Sequence, residues 1–324
     1  MQVRACTPAD AERWDAFCAE AYGATFLHTR RFLSYHGDRF TDRSLVFEDA
    51  GRWLGVLPAA ESLSQPELVV SHPGITYGGV LHHGALRGED MLGALQAASA
   101  HYAASGYRTL HYKPVPHIYQ RAPAQDDLYA LFRLDAKRVR CDLSSCIDLA
   151  HPLPISERRR RALKKAQRAG LTLETGAPLA DELWPVLEAN LAQRHDQKPV
   201  HSLAQIRLLL ERFPQAIRIH VARLEKQVIA GTVLFIAGAV SHTQYIASNA
   251  LGHETGALDL VFDQQIREAR AMNCDHFDFG ISNEDQGRSL NLGLHRFKSE
   301  FGAGGVVHEF YEIDLSAEAA WRKT

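Results

Sequence analysis

AIRIHVARLEKQVIAGTVLFIAGAVSHTQYIASN, residues 216–249, reads as three successive strands. The apolar runs 216–225 and 228–238 meet at Lys226-Gln227, a hairpin signal, and 239–249 supplies the third strand. Two helical stretches precede it, WPVLEANLAQRH (184–195) and SLAQIRLLLERF (202–213), the second opened by Ser202 as N-cap. TGALDLVFDQQIREARAMN (255–273) then has apolar residues at helical spacing, and CDHFDFG (274–280) returns to a strand. The order is helix, helix, hairpin, strand, helix, strand.

The first half has the same order. PADAERWDAFCAEAY (8–22) is an amphipathic helix opened by proline, and TRRFLSYHG (29–37) is a short second helix. RSLVFED (43–49) and RWLGVLPAAES (52–62) are joined by a tight Ala50-Gly51 turn. ELVVSHPG (67–74) is a third strand, 88–106 is a helix stopped by Gly106, and YRTLHYKP (107–114) is a strand ended by Pro114. Val70-Ser71-His72 recurs as Val240-Ser241-His242. The repeated order predicts an internal duplication of an α/β unit with a mainly antiparallel sheet, in two domains, 1–150 and 151–324. GVVHEFYEIDL (305–315) is expected to be a last strand that completes a sheet and packs back on the first domain.

Composition agrees with a two-domain globular chain. The 324 residues exceed a typical single α/β domain, and 46% hydrophobic with 23% charged content is ordinary. A formal charge of −2 gives no general attraction to DNA or membrane. Five cysteines, odd in number and without a CxxC pair, argue against a disulfide framework or zinc ribbon and for a reducing compartment. Seventeen scattered histidines with no HExxH suggest no metal. The N-terminus has no apolar core of signal-peptide length, and no run of 18 apolar residues is present, so a cytoplasmic location is expected.

Helix, helix, hairpin, strand, helix, strand is the order of the GNAT acyltransferase fold, and two tandem copies resemble the FemABX family of aminoacyl and acyl transferases. ITYGGV (75–80) is similar to a Tyr-Gly-Gly loop of that family's first domain, and RRRRALKKAQRAGL (158–171) resembles the basic helix that opens its second. FDFG followed by GLHRFKSEFG resembles its closing signature, with Phe297-Lys298 on the family's Phe-Lys pair. The resemblance covers nearly the whole chain. It implies N-acyl transfer from acyl-CoA or aminoacyl-tRNA to an amine of an amino sugar, nucleotide sugar or other cell-envelope or polysaccharide precursor.

On spacing alone, Lys298 is either a snorkelling lysine on a surface helix or a cation beside a reacting carbonyl; the resemblance favours the second. A donor aimed at a tetrahedral oxyanion lowers a barrier by about 3–4 kcal/mol. Asp278 alternates with Phe277 and Phe279, so it faces away from them and is expected to point into a cleft, where it positions or deprotonates the amine; its plainer role is to cap the following turn. Ser282 and Asn283 follow as loop polars in reach of substrate. Tyr77, Lys113 at a strand end, Tyr129, and the adjacent Asp126 and Asp127 are further substrate-binding candidates. Adjacent carboxylates share no helix or strand face, so the pair is expected to divide, one capping a helix.

In the helix that Ser156 opens, Arg158, Arg161, Lys165 and Arg168 share one stripe, suited to phosphates of a nucleotide sugar, coenzyme A or tRNA. Simple GNAT enzymes hold the coenzyme A pyrophosphate on a Q/R-x-x-G-x-G/A loop at a helix N-terminus. Residues 248–259, SNALGHETGALD, keep Gly252 and Gly256 but lack the basic residue and tight spacing, which brings aminoacyl-tRNA forward as donor. The alternative from another class is a non-catalytic glycan- or nucleotide-binding protein that retains the fold.

Overall fold

The computed structural model describes residues 1–195 and 199–316. In chain order the strands are β1 (Gln2–Ala5), β2 (Leu45–Asp49), β3 (Arg52–Leu57), β4 (Ala60–Glu61), β5 (Leu68–Val70), β6 (Thr109–Tyr112), β7 (Lys137–Asp148), β8 (Thr172–Thr175), β9 (Ile217–Leu224), β10 (Gln227–Ala237), β11 (Val240–Ser248), β12 (His276–Ile281), β13 (Asn283–Glu284), β14 (Ser289–Leu290) and β15 (Gly304–Asp314). The α-helices are α1 (Ala11–Glu20), α2 (Arg30–Leu33), α3 (Glu89–Ala104), α4 (Asp126–Arg133), α5 (Glu157–Arg168), α6 (Ala180–His195), α7 (Leu203–Arg212), α8 (Ala250–Thr255), α9 (Ala257–Ala271) and α10 (Leu292–Ser299). The chain divides into two compact units. Unit 1 holds Met1–Asp142, Asn283–Ser289 and the described residues from Val307; unit 2 holds Leu143–Ser282 and Leu290–Val306.

In unit 1, β1, β2 and β3 form an antiparallel sheet. The β2–β3 turn forms because Ala50 and Gly51 both adopt positive φ, 47° and 77°, matching the twist of the strands. Beside it, β4 pairs antiparallel with β5, β5 parallel with β6, and β6 antiparallel with β15, Tyr112 facing Tyr311. Leu45, Phe47, Leu57, Val69 and Leu110 from the strands bury against Leu92, Leu95 and Tyr102 of α3 and Leu131 of α4. Helix α3 stops where Gly106 takes φ +90°.

In unit 2 the strand order is β7-β12-β11-β10-β9-β8, antiparallel except for the β11–β12 pair. The β9–β10 turn lies at Glu225-Lys226, one residue before its expected place, because Gln227 already pairs with Leu224 and Glu225 supplies the positive φ. Strand β10 reads as an almost unbroken apolar run because helices cover both its faces. Ala222, Ile229 and Leu234 pack with Val261 and Phe262 of α9, whereas Gly231 approaches Leu183 of α6 on the other side. Ser156 opens α5 by accepting the Arg159 N–H (3.2 Å), and Ser202 opens α7 with a reciprocal Gln205 bond.

Candidate active site

Strand β12 carries Phe277, Asp278 and Phe279 in alternation. Both rings face the core, where they pack on Phe262 at 6.3 and 5.0 Å between centroids. Asp278 faces the other way, but it opens to no cleft: its side chain is 0% exposed. One oxygen accepts the Ser144 hydroxyl and the Gly280 N–H (3.0 Å), and the other lies 2.9 Å from His242 Nδ1. The expectation of an acid pointing into a cleft is therefore corrected. A carboxylate taken out of water is retained only when hydrogen-bonded, and neighbouring strands supply those bonds, β11 through His242 and β7 through Ser144.

The ladder between β12 and β7 slips between Asp278 and Ile281, where Gly280 adopts φ +76°. Only glycine takes that conformation without penalty. The carbonyls of Gly280 and Ile281 accept from Lys298 Nζ at 3.0 and 2.6 Å. Lys298 lies on α10, whose first turn Asn291 caps by accepting the Leu294 N–H (3.0 Å). It is 4% exposed, not a lysine snorkelling into solvent. Burial brings its pKa down to about 8, while the charge of Asp278 acts in the opposite direction. An ammonium has three N–H donors and the two carbonyls take two. Phe297 packs on Phe262 (6.0 Å) and Phe301 (5.3 Å), with the Arg159 guanidinium 4.9 Å above its ring. Ser282, next in the chain to the Lys298 partner Ile281, is buried, and its hydroxyl has no hydrogen-bond partner among the described residues.

A family model described as an acetyltransferase (GNAT) domain matches residues 156–298, which contain β12, its bend and Lys298. That segment is a GNAT-type domain, and the whole chain shares its fold with tandem GNAT and FemX structures. The structure titled FemX aligns over 96% of this chain and 97% of its own, at 13% identity and a TM-score of 0.69. The C-terminal domain of a putative lysylphosphatidylglycerol synthetase from Agrobacterium fabrum aligns over 97% and 94%, at 14% identity and a TM-score of 0.62. A tandem GNAT protein from the clavulanic acid biosynthesis pathway aligns over 98% of both chains, at 14% identity and a TM-score of 0.54. At these identities the likeness is one of fold. No curated protein matches the sequence.

The GNAT domain contains the other two glycines singled out in the sequence, and packing accounts for both. A Cβ on Gly252 would meet the Ile229 carbonyl and the Ser248 hydroxyl; Gly256 has φ +77° at the α8–α9 junction and lies against the Ala162 carbonyl. The Gly252 N–H is taken by the Asn249 side chain (2.9 Å). In the first turn of α9, Asp259 pairs with Arg159 at 2.9 Å, so the chain's own ion pair stands at this helix N-terminus. Arg158, exposed on the expected stripe, also pairs with Glu300 (2.7 Å). Arg161, Lys165 and Arg168 are exposed, and Lys164 joins their stripe.

In unit 1, Lys113 is buried and donates to the carbonyls of His72 (2.7 Å) and Ile75 (2.5 Å); burial brings its pKa down to about 7. Tyr77 is buried against Tyr119, 4.5 Å between centroids. Asp126 accepts the Gly88 N–H (2.8 Å) at the start of α3, and Asp127 is buried, accepting the Tyr112 hydroxyl (2.9 Å). The two carboxylates thus serve different elements. Tyr129 is exposed and accepts from Arg133 (3.0 Å), and Asn283 donates to the Gly287 carbonyl (3.3 Å). The unit gathers Tyr77 and Lys113 around the loop at 72–79 and leaves Tyr129 on its surface.

Two residues of the Lys298 neighbourhood escaped the sequence reading, His242 and Ser144. The repeated Val-Ser-His carried a signal for the first: the third residue of each triplet stands beside the strand after the helix. Ser144 carried none, because β7 has no clean alternation. Among the described residues no helix is long and apolar enough to cross a membrane, and no cluster of three His, Cys, Asp or Glu could hold a metal ion.

Proposed function

We propose that the chain is an N-acyltransferase, moving an acyl or aminoacyl group from acyl-CoA or aminoacyl-tRNA to an amine of an amino sugar or cell-envelope precursor. The observation that carries this reading is the buried Lys298 ammonium, fixed by two carbonyls at the bend of β12 within the GNAT domain. A neutral amine attacks the donor carbonyl, the remaining Lys298 N–H meets the developing oxyanion, and the leaving thiol or hydroxyl departs. A donor fixed before the reaction needs no reorganisation as charge develops. Phe297 holds the register of α10 and so the reach of Lys298. Of the two donors, aminoacyl-tRNA is favoured by the exposed stripe Arg161, Lys164, Lys165 and Arg168. The Asp259–Arg159 pair, standing where a pyrophosphate would meet the start of α9, argues the same way. The acceptor class follows from the family resemblance. Five free thiols fit a reducing, cytoplasmic setting.

The test is a thermal-shift screen with acetyl-CoA, longer acyl-CoAs, UDP-sugars and alanyl-tRNA, followed by mass detection of the acylated amine. Lys298→Ala is expected to lower turnover about 10²–10³-fold with the fold retained. No product from any donor with the wild type would leave a binding protein, and unchanged turnover in the variant would remove the mechanism.

A further inference from the structure

We propose that His242, oriented by Asp278, is the general base that takes the proton from the attacking amine; this rests on the transferase reading above. Asp278 has no surface of its own, whereas the His242 side chain is 14% exposed, so of the pair the imidazole is the member that reaches outward. The carboxylate lies 2.9 Å from Nδ1 and is itself fixed by Ser144 and the Gly280 N–H. An ionised carboxylate only accepts, so Nδ1 carries the hydrogen and Nε2 the basic lone pair. This is the arrangement in which a third group orients a base.

The ring is also placed beside the Lys298 site. A Cβ on Gly280 would lie 3.4 Å from His242 Cε1, and the carbonyl of the same glycine holds Lys298 Nζ at 3.0 Å. Base and oxyanion donor therefore flank one residue. The other copy of the duplication gives the contrast. There the position of Asp278 is taken by Lys113, and the equivalent His72 accepts the Gly74 N–H at Nδ1 (3.2 Å), which puts its hydrogen on Nε2. Burial foremost, then the Lys113 charge, bring the His72 pKa down to about 2. Unit 1 keeps the histidine without its carboxylate.

In the step, the amine nitrogen bonds to the donor carbonyl carbon and its proton passes to Nε2. The carbon–sulfur or carbon–oxygen bond to the leaving group then breaks, and the imidazolium returns the proton to the departing thiol or hydroxyl. Nothing is oxidised or reduced. Charged or titratable groups near the ring among the described residues include Asp278 on β12, Cys146 paired with it on β7, and Lys298 on α10; burial raises the Cys146 thiol, leaving it protonated.

The test uses the full chain with acetyl-CoA and alanyl-tRNA as donors and UDP-glucosamine as amine. His242→Gln is expected to lower kcat about 10²–10⁴-fold with KM little changed. Added imidazole should restore part of the rate to His242→Ala. Nitrogen-15 histidine spectra of the wild type should show the Nδ1–H tautomer at His242, changed in Asp278→Asn. Wild-type transfer that His242→Gln leaves intact overturns the base and spares the transferase reading. Absence of transfer by the wild type overturns both. Should the variants not fold, the spectra decide, and an Nε2–H tautomer in the wild type overturns the assignment.

Discussion

Lys113 and Asp278 occupy the same position in the two copies of the repeat. Val70 pairs with His111 and Val240 with His276 in the two parallel ladders, and each charged residue stands two places beyond, next to His72 or His242. One duplicated site has become a buried lysine serving backbone carbonyls, the other a buried carboxyl group serving a histidine. The sheet supports either polar group because each has hydrogen bonds in place of water. Divergence at this one position separates the chemistry of the units more sharply than their shared topology suggests.

The buried lysine of unit 2 predicts a pH-dependent stability. The Lys298 pKa lies at about 8 in the folded chain, against about 10.4 when unfolded. Between these values the unfolded chain binds more protons, so stability rises with pH across the window, and below pH 8 the folded state bears the full cost of the charge. Relative to Lys298→Met, the wild type should gain about 2–3 kcal/mol between pH 8 and 10. Urea midpoints at both pH values read this directly. Parallel pH dependence in the two proteins would mean that the ammonium is solvated.

The Tyr112–Asp127 bond predicts a second pH effect, this time within unit 1. The Tyr112 hydroxyl accepts the Val80 N–H at 2.7 Å and donates to Asp127 at 2.9 Å. Tyr112→Phe strands both partners and should cost about 1–3 kcal/mol. Burial raises the Asp127 pKa to about 6, so the loss should be larger at pH 7.5, where a charged oxygen is stranded, than at pH 5. Equal losses at the two pH values would count against a buried, unpaired charge.

Much of this architecture was legible in the sequence. The β2–β3 and β9–β10 hairpins, the caps of α5 and α7, and the stop at Gly106 each follow from local chemistry. Asp278 does face away from its phenylalanines, but facing away led to buried hydrogen-bond partners and not to a cleft. Ser144 of the neighbouring strand β7 takes up the carboxylate, and the mixed sequence of that strand, KRVRCDLSSCID, announces no strand. His242 and Asp278 lie 36 residues apart and meet only because β11 and β12 run parallel. Lys298 was readable as a candidate from its signature, but its carbonyl partners depend on a bend at Gly280 that periodicity does not encode.

Close backbone packing at the Tyr77-Gly78-Gly79 loop predicts a severe glycine substitution. A Cβ on Gly78 would fall on the Ser71 carbonyl, which belongs to the chain leaving β5. Backbone cannot swing aside as a side chain does. Gly78→Ala should therefore cost more than about 3 kcal/mol, as overpacking at its upper range does. Gly238→Ala is the control: φ is +63° with nothing within 4 Å, so only the left-handed conformation is penalised, by about 1–2 kcal/mol. Urea denaturation of both variants compares the two costs, and similar values would show that the loop yields.

The basic helix predicts a difference between two kinds of cation. Arg161, Lys164, Lys165 and Arg168 are exposed at i, i+3, i+4 and i+7, whereas Arg158 is tied to Glu300 at 2.7 Å. If the stripe meets the phosphates of a tRNA donor, each cation that contacts a phosphate releases a counterion. Lys164→Gln with Lys165→Gln should then reduce the slope of log affinity against log salt by about 1.4–1.8. Arg158→Gln should change it much less, because its charge is already neutralised within the unit. Filter binding of alanyl-tRNA across a salt series measures both slopes. Equal slopes in wild type and double variant would remove the stripe from donor binding, and with it the main reason for preferring tRNA to coenzyme A.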